Sequence, residues 1–126
     1  MSTISANVKA LDGVSVVNGT PQESSAIRVT QGIADTIQWT ITQTGTPDVD
    51  FDYAISEDGE TFTSYIPCFG AAGNSSAGEF TNSSGSLNGA TVALEPAKFY
   101  KLRATNNDGV NTATVTLSLR YVEETT

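Results

Sequence analysis

The amino-acid sequence predicts an all-β protein, an antiparallel sandwich of seven or eight strands interrupted by one long Gly/Ser/Asn-rich insert. Three observations carry this expectation. Apolar and polar residues alternate with a period of two along several stretches, the pattern of a strand with one face in a core and the other in water. Turn-forming residues punctuate these stretches at Asn18-Gly19, at Gly45 to Pro47 and at Asp58-Gly59. No stretch carries a convincing helical pattern of apolar residues.

The elements follow in order. Residues 1–13 are polar and irregular, with Ile4, Val8 and Leu11 as the sizeable apolar anchors, and read as an N-terminal arm or a first strand. The sandwich is expected over 14–122. Val14 to Val17 is a short β-branched run closed by Asn18-Gly19, and Ala26 to Thr30 a second short strand ended by Gly32. Asp35 to Thr44 is a long strand in which Ile37, Trp39 and Ile41 share one face, Thr36, Gln38, Thr40 and Thr42 the other. Val49 to Ser56 alternates again, with Val49, Phe51, Tyr53 and Ile55 inward and Asp48, Asp50, Asp52 and Ser56 outward. Asp58-Gly59 suits a type I′ hairpin loop leading to a strand from Thr61 to Ile66.

Residues 67–89 change character. This insert is built of Gly, Ser, Ala and Asn with Phe69, Phe80 and Leu87 as large apolar residues, and loops of that length are functional or mobile. Strand character resumes at Thr91 to Leu94. Pro96 marks a boundary, because it cannot donate to a ladder. Tyr100, Leu102 and Ala104 then point inward and Lys101, Arg103 and Thr105 outward, and Asn106 to Gly109 form a turn into a hairpin partner, Thr112 to Tyr121. Residues 123–126 form a short acidic tail. The expected core is therefore Trp39, Phe51, Tyr53, Tyr100, Leu102 and Leu117.

Length and composition bound the function. At 126 residues one domain suffices, and a net charge of −8 disfavours nucleic acid and anionic membrane surfaces as partners. The absence of His removes Ser-His and Cys-His activation and the commonest general base, so no catalytic residue is expected. Cys68 is a lone thiol, read as a small buried side chain. A chain with one Cys and no basic region leading an apolar run reads as made in the cytoplasm without a signal peptide. Six carboxylates fall between Asp48 and Glu60, but Asp48, Asp50 and Asp52 alternate along one strand about 7 Å apart, too far to share one ion, so no metal or cofactor is expected.

Three stretches resemble a known family. Trp39 in its strand, the Tyr53 to Gly59 turn YAISEDG, and Leu94, Pro96 and Tyr100 ahead of an alternating strand are similar to fibronectin type III and related immunoglobulin-like domains. The resemblance covers about Asp35 to Tyr121. It implies an immunoglobulin-like sandwich, a Tyr100 hydroxyl bonded to backbone in the preceding turn, and a third strand that sets Asp50 and Asp52 against Lys101 and Arg103. It further implies that the strand carrying Lys101 and Arg103 pairs with the last strand, carrying Arg120. The Gly/Ser/Asn insert departs from the family.

An acidic, Thr/Ser/Asn/Gly-rich, His-free small sandwich also resembles in style the virion proteins of tailed bacteriophages. That resemblance implies a non-enzymatic structural protein, a capsid decoration or tail-associated module that packs against copies of itself or a capsid or tail scaffold. Its localisation would be the virion, after synthesis in the host cytoplasm. Candidate contacts are Ile4 and Val8 of the arm, Phe69, Phe80 and Leu87 of the insert, and Thr114, Thr116 and Arg120 on a last strand that reads as an unprotected edge. The alternative is a carbohydrate or cell-surface binding module, with Tyr65, Phe69 and Phe80 as platforms.

Overall fold

The computed structural model describes residues 2–29, 32–45, 47–68, 85, 87–92 and 94–125. Among them are nine strands and no helix: β1 (Ser2–Val16), β2 (Gln22–Glu23), β3 (Ile27–Arg28), β4 (Gly32–Thr42), β5 (Val49–Ser56), β6 (Ile66–Pro67), β7 (Leu87–Thr91), β8 (Phe99–Asn106) and β9 (Ala113–Thr125). They form two antiparallel sheets. Sheet 1 has the order β1-β9-β4-β7, and sheet 2 the order β2-β8-β5-β6 with β3 also on β8.

The core is the product of the expected alternation. Ile37, Trp39 and Ile41 of β4 and Val115, Leu117 and Leu119 of β9 face Val49, Phe51 and Tyr53 of β5 and Tyr100, Leu102 and Ala104 of β8, all buried. The Trp39 and Phe51 rings lie 5.6 Å apart and tilted by 52°, a favourable aromatic contact between the sheets. All six expected core residues lie in this cluster. Tyr100 donates its hydroxyl to the Glu95 carbonyl at 2.7 Å, and the Tyr53 hydroxyl accepts from the Glu95 N–H at 3.1 Å, so the chain entering β8 is clamped by two core tyrosines.

The connections around that core depart from the sequence reading in several places. Asn106 to Gly109 do not turn a hairpin: after β8 the chain leaves sheet 2, and β9 inserts between β1 and β4 of sheet 1, with Trp39 opposite Leu117 and Val8 opposite Leu119. The cause is Asn106, the last residue of β8 and almost fully buried. Its side-chain amide donates to the Val16 and Asn111 carbonyls at 3.0 and 2.9 Å and its side-chain oxygen accepts from the Asp108 N–H at 2.9 Å. A buried amide with these partners satisfied pulls the turn across the sandwich toward β1. The pairing of the Arg103 strand with the last strand, implied by the resemblance, is therefore absent, and β9 is an interior strand rather than an edge.

The ends are also ordered into the sheet. β1 runs through the expected boundary at residue 13, so residues 2–13 are the larger part of a strand and not an arm, and β9 carries Glu123 and Glu124 opposite Ile4 and Thr3 instead of leaving them as a tail. Each strand supplies the ladder partner that the other's backbone needs.

Smaller corrections follow local chemistry. Gly59 has φ of 81° but Asp58 is not left-handed, so the turn is not type I′, which needs positive φ at both central residues. Ser56 Oγ instead accepts from the Asp58 and Gly59 N–H groups, at 3.2 and 2.9 Å, and this turn buries Ser56 while Ile55 is only half-buried. The strand expected from Thr61 to Ile66 is reduced to β6, although Thr63 still donates its N–H to the Ile55 carbonyl at 3.0 Å. Strand character resumes at Leu87, before Thr91, and β2 adds a short strand ahead of β3. Ser24 links those two: its N–H donates to the Leu102 carbonyl and its hydroxyl accepts from the Leu102 N–H. Of the 67–89 insert, Pro67 lies in β6 and Cys68 is buried against β5 through an N–H donated to the Phe51 carbonyl at 3.0 Å.

Candidate functional site

The outer face of sheet 1 gathers most of the expected contact residues that are described. Thr114 and Arg120 stand exposed on β9 with half-buried Thr116 between them, and Leu87, 70% exposed, pairs with Thr40 at the β7 side. Register sets β4 beside β9 so that Thr42 lies opposite Thr114, Thr40 opposite Thr116, Gln38 opposite Ser118 and Thr36 opposite Arg120. This second row completes a hydroxyl- and amide-rich face. Its outward alternation was legible in the sequence, but its adjacency to β9 was not, because that pairing joins residues 72 to 84 positions apart.

Hydrogen bonds within the face hold it in place. Asn7 of β1 donates its side-chain amide to Gln38 Oε1 at 3.2 Å, spanning the intervening β9, where Ser118 is buried. Gly13 donates its N–H to Thr116 Oγ1 at 3.0 Å, at a point where the β1 ladder shifts register. Lys9 and Asp12 form an exposed ion pair at 3.6 Å, of the kind that contributes little.

Val8 does not join this face. It lies half-buried against the core, and Ile4 is placed by its backbone in β1 opposite Glu123. Phe69 and Phe80 lie outside the described residues.

Sheet 2 is finished differently. Arg103 of β8 lies between Glu23 of β2 and Asp52 of β5 in one cross-strand row. Its guanidinium donates to Asp52 Oδ2 through Nη2 at 2.8 Å and Nε at 3.2 Å, a contact within the facing that the resemblance implied. The Arg103 guanidinium also stacks 4.1 Å from the Tyr65 ring centroid, and the Tyr65 hydroxyl donates to Glu23 Oε2. One face of Tyr65 is thus occupied by the chain itself, which weakens it as a sugar platform. Lys101 stands over Phe62 at 4.7 Å and opposite Ala54, and Asp50 lies opposite Thr105, so the expected Asp50–Lys101 pair does not form.

Within the acidic run, Asp58 is tied into its own turn. Asp58 Oδ1 accepts the N–H groups of Glu60 and Thr61 and the hydroxyl of Ser56, each at 2.9 Å. The Thr61 and Glu60 amides in turn hold its carboxyl down at about 2. Asp108 does the same for the turn after β8, accepting from the Val110 and Asn111 N–H groups, and the Asn111 amide lowers its pKa most. Burial pushes the Cys68 thiol up, with Asp52 adding to the shift, so the sulfur is held as the protonated thiol. Among the described residues no three His, Cys, Asp or Glu side chains group as a metal site would require. A shallow open hollow of about 350 Å³ beside the Ser56 to Thr63 turn is lined by Ile55, Ser56, Glu57, Asp58, Thr61 and Thr63.

A scan against protein-family models finds no match. A search of the curated proteins finds none either.

Proposed function

We propose that this chain is a non-enzymatic structural protein of a bacteriophage virion, a capsid decoration or tail-associated module that works by protein–protein packing through sheet 1. The observation that carries the packing mode is the contrast in surface finish. The outer face of sheet 1 presents Thr36, Thr40, Thr42, Thr114 and Thr116 with exposed Leu87 alongside, whereas that of sheet 2 is covered by its own aromatic and charged side chains. A sparsely charged face suits burial against another protein, because charged residues are depleted at the centre of such contacts. The virion assignment comes from the compositional likeness, and the fibronectin-like reading is kept for Trp39, the Tyr53 to Gly59 turn and the Tyr100 clamp, with β9 rerouted.

The test is co-sedimentation with phage heads and tails on a density gradient. The expected result is that the chain travels with particles, and that Leu87→Asp combined with Thr114→Asp lowers its incorporation while leaving the urea midpoint unchanged. A chain that never enters particles, and binds a glycan panel with saturation instead, would replace this reading by the carbohydrate-binding one.

A further inference from the structure

We propose that the edge of β1 left unpaired among the described strands, from Ser2 to Val8, pairs antiparallel with the same edge of a second copy about a twofold axis at Ser5, joining two four-stranded sheets into one. This rests on the packing reading above and names one partner for it. β1 is the terminal strand of sheet 1, hydrogen-bonded to β9 on one side, and no described strand pairs with its other side. From Ser2 to Lys9 its ladder with β9 is unbroken, so the edge is regular for about 24 Å of uncharged chain.

The two halves of β1 are finished differently. Register shifts between Lys9 and Leu11 and between Leu11 and Val14, with Gly13 at φ of 64°, break the C-terminal half, as bulges do on edges that must not pair. The N-terminal half has no bulge, no Pro and no charged residue before Lys9. The other edges offer less: β2 and β6 are two residues long, and β7 spans five.

A second copy fits this edge for reasons of charge and symmetry. The chain carries −8, so most of its surface repels a copy of itself, yet Ser2–Val8 presents no charge to oppose. Centring on Ser5 sets Ser2 against Val8 and Thr3 against Asn7, and leaves Lys9 outside. Glu123 and Glu124 lie one strand back on β9, which separates them from their counterparts by three strand spacings, about 14 Å and beyond the Debye length in physiological salt. Antiparallel self-pairing makes every contact twice and closes on itself.

Seven paired residues bury less than a standard interface of ~1,600 Å², so the dimer is expected to be reversible, at roughly 10–100 µM. Sedimentation equilibrium of the whole chain from low micromolar to ~300 µM tests this. Ser5→Lys sets like charges face to face across the axis and should weaken the dimer at least tenfold, with thermal unfolding of the dilute protein unmoved. Independently, Ser5→Cys should cross-link to its own copy on oxidation, while Thr3→Cys, ~13 Å from its copy, should not. A wild-type chain monomeric at ~300 µM, or a dimer of undiminished affinity in Ser5→Lys without the Ser5→Cys cross-link, overturns the proposal. If a monomeric chain still enters particles, the self-pairing falls and the packing reading stands; a Ser5-centred dimer that joins no particle gives the reverse.

Discussion

Sheets 1 and 2 share one core but finish their outer surfaces by different means. In sheet 2 the segment after β5 folds back over the strands, so that Phe62 sits under Lys101 and Tyr65 under Arg103, and Arg103 is held between Glu23 and Asp52. The charges of this row and of Lys101 are engaged within the chain. In sheet 1 the strands are longer, β1 and β9 run well past the ends of β5 and β8 in length, and the outer face carries hydroxyls and amides tied by a few bonds such as Asn7 to Gln38. What distinguishes them is the kind of contact their polar groups make: an ion pair and cation–ring stacking in sheet 2, and neutral hydroxyl and amide hydrogen bonds in sheet 1.

The two sheets meet at Trp39. Trp39 is buried to 1% and touches Phe51 across the sheets, so Trp39→Ala removes a contact that both sheets need. The expected loss is about 3–5 kcal/mol in urea unfolding. A loss under about 1 kcal/mol would mean that the sheets are not coupled through this ring.

A smaller effect sharpens the finish of sheet 2. A Cβ at Gly59 would come within 3.0 Å of the Phe99 ring, whereas one at Gly19 meets nothing within 4 Å, and both glycines are left-handed, at φ of 81° and 84°. Gly19→Ala should therefore cost only the backbone strain, ~1–2 kcal/mol, and Gly59→Ala measurably more. Equal losses in thermal unfolding would show that the ring moves aside freely.

The smallest effect is in acid. Asp58 is held at about 2 against an ordinary value of 3.8, so the folded state binds its proton later than the unfolded chain does. The stability it contributes is fully present above pH 3.8 and is lost as pH falls toward about 2. Asp58→Asn should flatten the dependence of the unfolding midpoint on pH within that window, and an unchanged slope would place the acid sensitivity elsewhere.

Much of the local structure was legible in the residues. The period-two runs located β4, β5 and β8 to within a few residues, and Tyr100 was expected to bond backbone in the preceding turn, as it does to Glu95. The contact residues were only partly legible. Thr114, Thr116 and Arg120 do lie together, yet they were read as marking an edge, and the strand that carries them is interior. Asn106 was read as a turn residue because Asn favours turns; its role as a buried tie between Val16, Asn111 and Asp108 depends on partners up to 90 positions away.

Alternation alone thus determined which side chains of each strand face the core, because side-chain direction in a strand is a local property of the backbone. It determined the all-β class and the identity of the core for the same reason. Which strand lies beside which was decided only in the tertiary structure. Ladder hydrogen bonds are made by backbone groups that nearly every residue carries, so they do not mark a strand's partner; packing of Leu117 beside Trp39 and the amide of Asn106 at the crossing do. By that route β9 came to the middle of sheet 1, and residues 2–13, read as an arm or a first strand, became the larger part of its edge strand.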